Sequence, residues 1–197
     1  MFNPGNHLAR LDLTRLRPYG MASIILFAIG ALGGGLAVIL YPEAASHLQD
    51  LLKQFAKMFQ GMPKLKLAAA IFLNNSLKTL LAILLGPLLG LVPVVFLIVN
   101  GAILGAVIPV AVESKGLWHS IMTIVPHGIL ELPAIFLGTS IGLKLGLHPF
   151  RHMAGKADRS FLSELGHGLR LFFSVILPLL LVAAAIEVFV TPLIAGL

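Results

Sequence analysis

The stretch "YGMASIILFAIGALGGGLAVILY", residues 19–41, is apolar throughout and contains no charged residue. A helix that crosses the hydrocarbon core of a bilayer needs about 20 mostly apolar residues. Tyr19 and Tyr41 stand at its two ends, where aromatic side chains anchor membrane helices at the interface with water. The stretch is too long for the apolar core of a signal peptide, and no small-residue cleavage site precedes Tyr41. It therefore predicts a transmembrane helix.

The composition of the whole chain agrees with a protein embedded in a bilayer. Of its 197 residues, 58% are hydrophobic and 11% are charged, with a formal net charge of +6. Soluble domains typically have about 45–50% apolar and about 25% charged residues. So few charges neither cover a water-facing surface nor form a basic face that reads DNA, which excludes a soluble enzyme, a disordered protein and a nucleic-acid binder. The chain has no cysteine, so disulfides and thiolate metal sites are excluded, and no cofactor is predicted.

Four further apolar runs have the length that a membrane helix needs. We predict an all-α integral membrane bundle that forms a single domain over residues 1–197. Its five transmembrane helices cover about residues 19–41, 67–89, 92–112, 117–147 and 169–193. Only the short segment "GPLLGLVP" separates the second helix from the third, which predicts a tight turn between antiparallel helices.

The segment between the first two spans, residues 43–60, has a different pattern. Its large apolar residues recur at helical spacing, and Lys53, Gln54 and Lys57 occupy the opposite face. This pattern predicts an amphipathic helix that lies at the bilayer surface. A lid or an element that docks a partner protein is the alternative interpretation. The polar connector over residues 150–168 is likewise interpreted as a solvated segment with a short helix capped by Ser160, or as a docking surface.

The distribution of positive charge predicts the orientation in the cell membrane. With five spans, eight Lys and Arg residues fall on the side of the N-terminus and of the connector 150–168, and five fall on the other side. Loops rich in Lys and Arg stay in the cytoplasm. We therefore predict a multi-pass protein with a cytoplasmic N-terminus and an outside C-terminus.

Small residues at four-residue spacing let membrane helices approach each other closely. Such pairs recur in this chain, and they predict helix packing at Gly30, Gly34, Gly101, Gly105, Gly138 and Gly142, with further pairs at Gly86, Gly90 and Gly146. Most of these contacts are expected within one chain. Gly30 and Gly34 are the candidates for an interface between subunits of a homo-oligomer.

The fourth span carries the polar residues that most strongly indicate a functional site. In "IVPHGILELPAIFLG", Pro126 and Pro133 each remove a backbone donor, so we predict a helix broken around Pro126, Gly128 and Pro133. His127 and Glu131 are four residues apart and share one face of the helix that starts there. Ionisable residues at membrane depth are costly and mark functional sites by default.

Three asparagines in the neighbouring spans, Asn74, Asn75 and Asn100, have the donors and acceptors that such a pair needs. We predict that these amides converge with His127 and Glu131 in one cavity. The cluster is interpreted either as a hydrogen-bonded pair that fixes a helix kink or as a site for an ion, proton or small ligand. Because the order is H-x-x-x-E and not H-E-x-x-H, we predict no metal ligand and no catalytic residue.

Two stretches together resemble the stage II sporulation protein M family: "FLNNSLKTLLAILLGPLLGLVPVVFLIVNGAILGAV" and "IVPHGILELPAIFLGTSIGLKLG". The similarity lies in an Asn-rich start of one span, an N-G-x-x-x-G in the next and a P-H-G-x-x-E-x-x-A segment. Here these are Asn74 and Asn75, then Asn100 with Gly101 and Gly105, then the segment from Pro126 to Ala134. The resemblance extends over about residues 20–195.

The resemblance implies a small polytopic membrane protein without known catalysis. In endospore formers the family's namesake takes part in engulfment, as a membrane scaffold for partners that degrade peptidoglycan, and members also occur in organisms that make no spores. The expected function is therefore a non-enzymatic scaffold in envelope or membrane remodelling, as a homo-oligomer that contacts the lipid bilayer and other envelope membrane proteins. A transporter or channel component with a site at the broken fourth helix is the alternative.

Overall fold

The computed structural model describes residues 13–157 and 159–195, and within these ranges the chain is helical, with no strand. The helices in chain order are α1 (Leu13–Leu40), α2 (Pro42–Phe59), α3 (Lys64–Leu84), α4 (Leu91–Lys115), α5 (Leu117–Gly146), α6 (His148–Met153), α7 (Phe161–Leu171), α8 (Leu177–Ala185) and α9 (Thr191–Ala195). Two π-helical segments, Phe172–Ile176 and Ile186–Val190, join α7 to α8 and α8 to α9.

Five helical segments in the described part of the chain are long and apolar enough to cross a membrane, which confirms the predicted fold class. The fifth is one continuous helical path over Phe161–Ile194, so it begins earlier than the residue near 169 expected from the sequence. The fourth, Gly128–Gly146, is the most enclosed, because 56% of its most apolar stretch is buried. α5 is therefore the central helix, and the other spans pack around it.

The predicted interruption of the fourth span is wrong. α5 runs without a break for 30 residues, across Pro126, Gly128 and Pro133. A proline removes one helical hydrogen bond, but a backbone unwound in lipid leaves several groups without partners. Continuing the helix is therefore the less costly solution, and α4 likewise continues across Pro109.

Helix α2 confirms the predicted amphipathic helix between the first two spans. It packs mainly against α1 and α4, and Leu51, Met58 and Phe59 stay exposed. Exposed apolar area of this kind is unfavourable in water, at roughly 25 cal/mol per Å². A bilayer surface covers such a face, which agrees with the interpretation of α2 as an interfacial helix.

The crossing of α1 and α4 is made by glycines from both helices. A Cβ atom at Gly34 would overlap the backbone of Ala102, and one at Gly105 would overlap the backbone of Ala31. Gly30 and Gly101 make equivalent contacts one turn away. These positions confirm helix packing, but they contradict a subunit interface at Gly30 and Gly34, because α4 of the same chain already covers both.

Gly138 and Gly142 form a second glycine face, on α5, which confirms the helix packing predicted at these two positions. Gly138 meets Thr79 of α3, and Gly142 meets the backbone of Ala82. One turn further, Gly146 meets Gly86 and Gly90 in the turn between α3 and α4. Gly90 has a φ of 74°, a conformation that glycine adopts without strain. The tight turn is thus held against the end of α5.

The two π-helical segments have one cause in common. Each is followed, after one intervening residue, by a proline: Pro178 after Phe172–Ile176 and Pro192 after Ile186–Val190. A proline ring collides with the carbonyl four residues earlier in an α-helix. Widening the preceding turn relieves that collision, and the next backbone amide then bonds to the carbonyl five residues back.

Candidate functional site

The predicted cluster consists of His127, Glu131 and three asparagines, and the structure describes the side chains of all of these residues except His127. Glu131 is half-buried in α5, and the side chain of His127 lies outside the described part of the chain. The side-chain nitrogen Nδ2 of Asn74 donates to Oδ1 of Asn75 at 3.1 Å. Nδ2 of Asn100 donates to the carbonyl of Phe96, one turn earlier in α4, at 2.7 Å. Asn74 and Asn75 are neighbours in the chain, and Asn74 is exposed on α3; convergence of all five side chains in one cavity stays a prediction.

Asn100 also lines an open groove of about 500 Å³ between α3 and α4. The other polar residue in its wall is Lys78, and the remaining wall is apolar. Lys78 is exposed there. A lysine near a helix end directs its ammonium group toward the interface while its stem stays in the apolar layer.

The structure contains a buried ion pair at the end of the bundle that the sequence did not predict. Nζ of Lys144, in the last turn of α5, lies 2.6 Å from Oε2 of Glu164, in the first turn of α7. The side chains are only 9% and 4% exposed. From the sequence, Lys144 enters only the count of positive charges on that side of the membrane, and Glu164 belongs to the connector 150–168 that is interpreted as solvated. The solvated interpretation is wrong for Glu164, because α7 folds back onto α5.

Local sequence explains why α7 reaches α5. Ser160 caps the helix as predicted, since its Oγ accepts a hydrogen bond from the amide of Ser163 at 3.4 Å. Glu164 follows one turn later, and Gly168 one turn after that. A Cβ atom at Gly168 would collide with the side chain of Ile141, so this glycine permits the close approach of α7 to α5 that buries the ion pair.

The ion pair borders a small cavity of about 20 Å³, enough for one water molecule. His167 adds a third polar side chain to its wall, and Leu16 and Ile141 form apolar parts. The residue Leu16 belongs to the start of α1. The beginning of the chain's first span and the α5–α7 junction therefore lie at the same end of the bundle.

The connector between α5 and α7 is tied down by further polar contacts. A ring nitrogen of His148, Nε2, is 3.0 Å from the carbonyl oxygen of Arg159, and the imidazole contacts the ring of Phe161 edge to face. Nη2 of Arg151 donates to the carbonyl of Lys156 at 3.1 Å. These contacts give the connector a defined shape.

Three buried hydroxyls connect α1 to α5. Oγ1 of Thr139 lies 3.1 Å from Oγ of Ser23, which is 3.5 Å from Oγ of Ser140. Thr139 also bonds to the carbonyl of Ile135 at 2.8 Å, and Ser140 bonds to that of Phe136. Hydroxyls in membrane helices stabilise contacts between helices, by about 0.6 kcal/mol on average. In the sequence these hydroxyls are recognisable only as small polar residues inside apolar runs.

The chemistry of the α5–α7 junction is that of a structural link. An ammonium held by a carboxylate is committed to that partner, so Lys144 is a poor nucleophile or base in this state. In the described ranges, no group of three or more His, Asp or Glu side chains is placed to hold a metal ion. The arrangement therefore fixes the position of α7 relative to the membrane helices.

Taken together, the apolar helices and their polar links define a helical integral membrane protein with five candidate spans. The chain belongs to the stage II sporulation protein M family, whose sequence model matches residues 23–192. It is also similar to an uncharacterised protein of Methanocaldococcus jannaschii, with 26% identity over 176 residues, 88% of this chain and 93% of that protein. No solved structure shows a significant match.

Proposed function

We propose that the protein is a non-enzymatic membrane scaffold in envelope or membrane remodelling, which acts as a homo-oligomer and contacts other envelope membrane proteins. The observation that carries this proposal is the buried pair of Lys144 and Glu164. Taking two charges out of water costs several kcal/mol per ion, so such a pair is weak as a source of stability. Its use here is to hold α6 and α7 in one position at the end of the bundle, as a scaffold surface requires.

The segment that this pair holds presents a surface to partners. Phe150, Met153 and Leu162 are exposed on α6 and α7, although they are large and apolar. Exposed apolar side chains that are rimmed by polar residues favour a protein-binding surface. The transporter alternative loses the broken helix on which it was based, because α5 is continuous.

The two candidate functions depend on different residues: a scaffold needs the exposed side chains of α6 and α7, and a transporter needs Glu131. We expect Leu162→Glu to abolish complementation of a strain that lacks the gene, because it places a charge on the docking surface. Glu131→Gln is expected to leave complementation intact. A matched control is Leu65→Glu at the opposite end, since Leu65 is 76% exposed and Leu162 is 77% exposed.

Membrane abundance and thermal unfolding of each purified variant show whether it is folded. The opposite pattern contradicts the scaffold and supports a transporter: complementation lost in folded Glu131→Gln but retained in Leu162→Glu. Loss of complementation in all three variants also contradicts the proposal, because the effect then does not depend on the α6–α7 surface.

We also propose that the N-terminus is cytoplasmic and the C-terminus outside. The support is that Leu16 and Lys144 line one cavity, so the basic residues near both belong to the same side. A reporter fused to the C-terminus is expected to give an extracytoplasmic signal, and one fused to the N-terminus a cytoplasmic signal. Cytoplasmic signals from both fusions contradict the orientation.

A further inference from the structure

A cavity of about 440 Å³ lies between α2 and the adjoining ends of α4 and α5. We name it the α2 cavity. Leu52 and Val110 contribute to its apolar wall, and Lys53, Lys115 and His119 contribute cationic or ionisable groups. It is at the end of the bundle opposite the Lys144–Glu164 pair, because it is formed by the last turns of α4 and the first turns of α5.

The free hydrogen-bonding capacity of the α2 cavity favours an anion. The hydroxyls of Ser120 and Thr123 already donate to backbone carbonyls of their own helix. Donation to a ligand is therefore left mainly to the side chains of Lys53, Lys115 and Gln49. A lysine ammonium is a frequent partner of phosphate groups.

Among the described residues, Lys53 has a weak partner and Nε2 of His119 has no hydrogen-bond partner. Nζ of Lys53 is 3.4 Å from Oδ1 of Asp50, but the two side chains are 69% and 68% exposed. Exposed pairs of this kind contribute little, so a ligand can share the lysine. Nε2 of His119 is shielded from solvent and has no hydrogen-bond partner among the described residues. Leaving such an atom unpaired is unfavourable.

The apolar wall of the cavity and the amphipathic pattern of α2 favour a ligand that joins an anionic group to a hydrocarbon chain. Amphipathic α2 exposes Leu51 and Met58, and a helix of this kind is expected to lie at the bilayer surface with its apolar face toward lipid. A cavity under this helix is therefore expected at the depth of the lipid headgroups. A molecule with a charged phosphate at one end and a hydrocarbon chain at the other matches both walls.

We propose that the α2 cavity binds an anionic phospholipid, with its phosphodiester beside Lys53 and Lys115 and an acyl chain along Leu52 and Val110. Basic pockets between membrane helices bind anionic lipid headgroups through their charge, and the apolar wall adds contact with an acyl chain. This binding site is separate from the α6–α7 surface and goes beyond the scaffold function.

The single tryptophan of the chain provides the measurement. Trp118 precedes His119 of the cavity wall, and bromine atoms on lipid chains quench indole fluorescence at short range. The full-length protein is reconstituted in phosphatidylcholine vesicles that contain a small fraction of brominated phosphatidylglycerol or brominated phosphatidylcholine. We expect phosphatidylglycerol to quench more, with about fivefold local enrichment for each lysine near the headgroup.

Variants test whether the cavity lysines cause the difference. Lys53→Gln and Lys115→Gln are each expected to lower the preference for phosphatidylglycerol about fivefold. Lys57→Gln is the matched control, because it removes the same charge from the same helix but does not line the cavity. Circular dichroism and elution in detergent check that each variant is folded.

Two results overturn the proposal. One is equal quenching by the two brominated lipids in the unmodified protein, and the other is an equal effect of Lys57→Gln and Lys53→Gln. Inorganic phosphate distinguishes a lipid from a free anion. A free anion as the occupant gives equal quenching by the two brominated lipids together with a change in Trp118 fluorescence on addition of millimolar phosphate, whereas relief of quenching by unbrominated phosphatidylglycerol supports the lipid. Failure here leaves the complementation test of the scaffold unaffected.

Discussion

Lys144→Met is expected to lower the free energy of unfolding by about 3–5 kcal/mol, because it leaves the carboxylate of Glu164 buried without its counter-charge. The double variant Lys144→Met with Glu164→Leu removes both charges and keeps the apolar volume. It is expected to recover the stability of the unmodified protein or to exceed it. Unfolding in bicelles at neutral pH, measured by steric trapping, gives all three free energies of unfolding.

The exposed pair of Lys53 and Asp50 is the control for this result. It joins a lysine to a carboxylate at 3.4 Å, but both side chains are open to solvent. Lys53→Met is therefore expected to change stability little. If Lys144→Met has as small an effect as Lys53→Met, the ion pair is not excluded from water and does not fix α7 on α5.

Two adjacent glycines of α1 are expected to respond differently to substitution by alanine. A methyl group added at Gly33 would meet no atom within 4 Å, whereas one at Gly34 would meet the backbone of Ala102. Gly33→Ala is expected to be neutral or to stabilise by up to about 1 kcal/mol, because alanine favours the helix. Gly34→Ala is expected to destabilise by about 1–3 kcal/mol, since α1 and α4 must separate. The same unfolding measurement in bicelles gives both values.

A second variant tests whether separation of the helices is the cause. Gly105→Ala presses on the backbone of Ala31 from the other side of the same crossing. Once Gly34→Ala has moved the helices apart, Gly105→Ala has less left to disturb. The double variant is therefore expected to lose less stability than the sum of the two single variants. Equal effects of Gly33→Ala and Gly34→Ala contradict the glycine crossing.

Some features of this protein follow from short stretches of sequence. The run from Tyr19 to Tyr41 predicts a span because about 20 consecutive apolar residues are long enough for a helix to cross a bilayer. The pattern of α2 predicts an amphipathic helix because its two faces repeat with the period of the helix. Ser160 predicts the start of α7 because capping involves atoms only three residues apart.

The glycine pattern identifies the packing residues but not their partner. Spacing shows that Gly30 and Gly34 share a face, and any helix of this chain or of another copy satisfies that pattern. In the folded chain the partner is α4, and its glycines Gly101 and Gly105 fit the same crossing. The continuous α5 is a similar case, because prolines predict a break only when no neighbouring helix packs against the segment.

The number of spans, the amphipathic helix, the small-residue faces and the family can all be predicted from the amino-acid sequence, since each depends on residues close together in the chain. The folded bundle was needed to show that Lys144 and Glu164 are buried, that Ser23 meets Thr139 across 116 positions and that a cavity forms beneath α2. A charged or hydroxyl side chain has the same local pattern whether it faces water or another helix. Its environment is set by which helix faces meet, and that depends on the packing of the whole bundle.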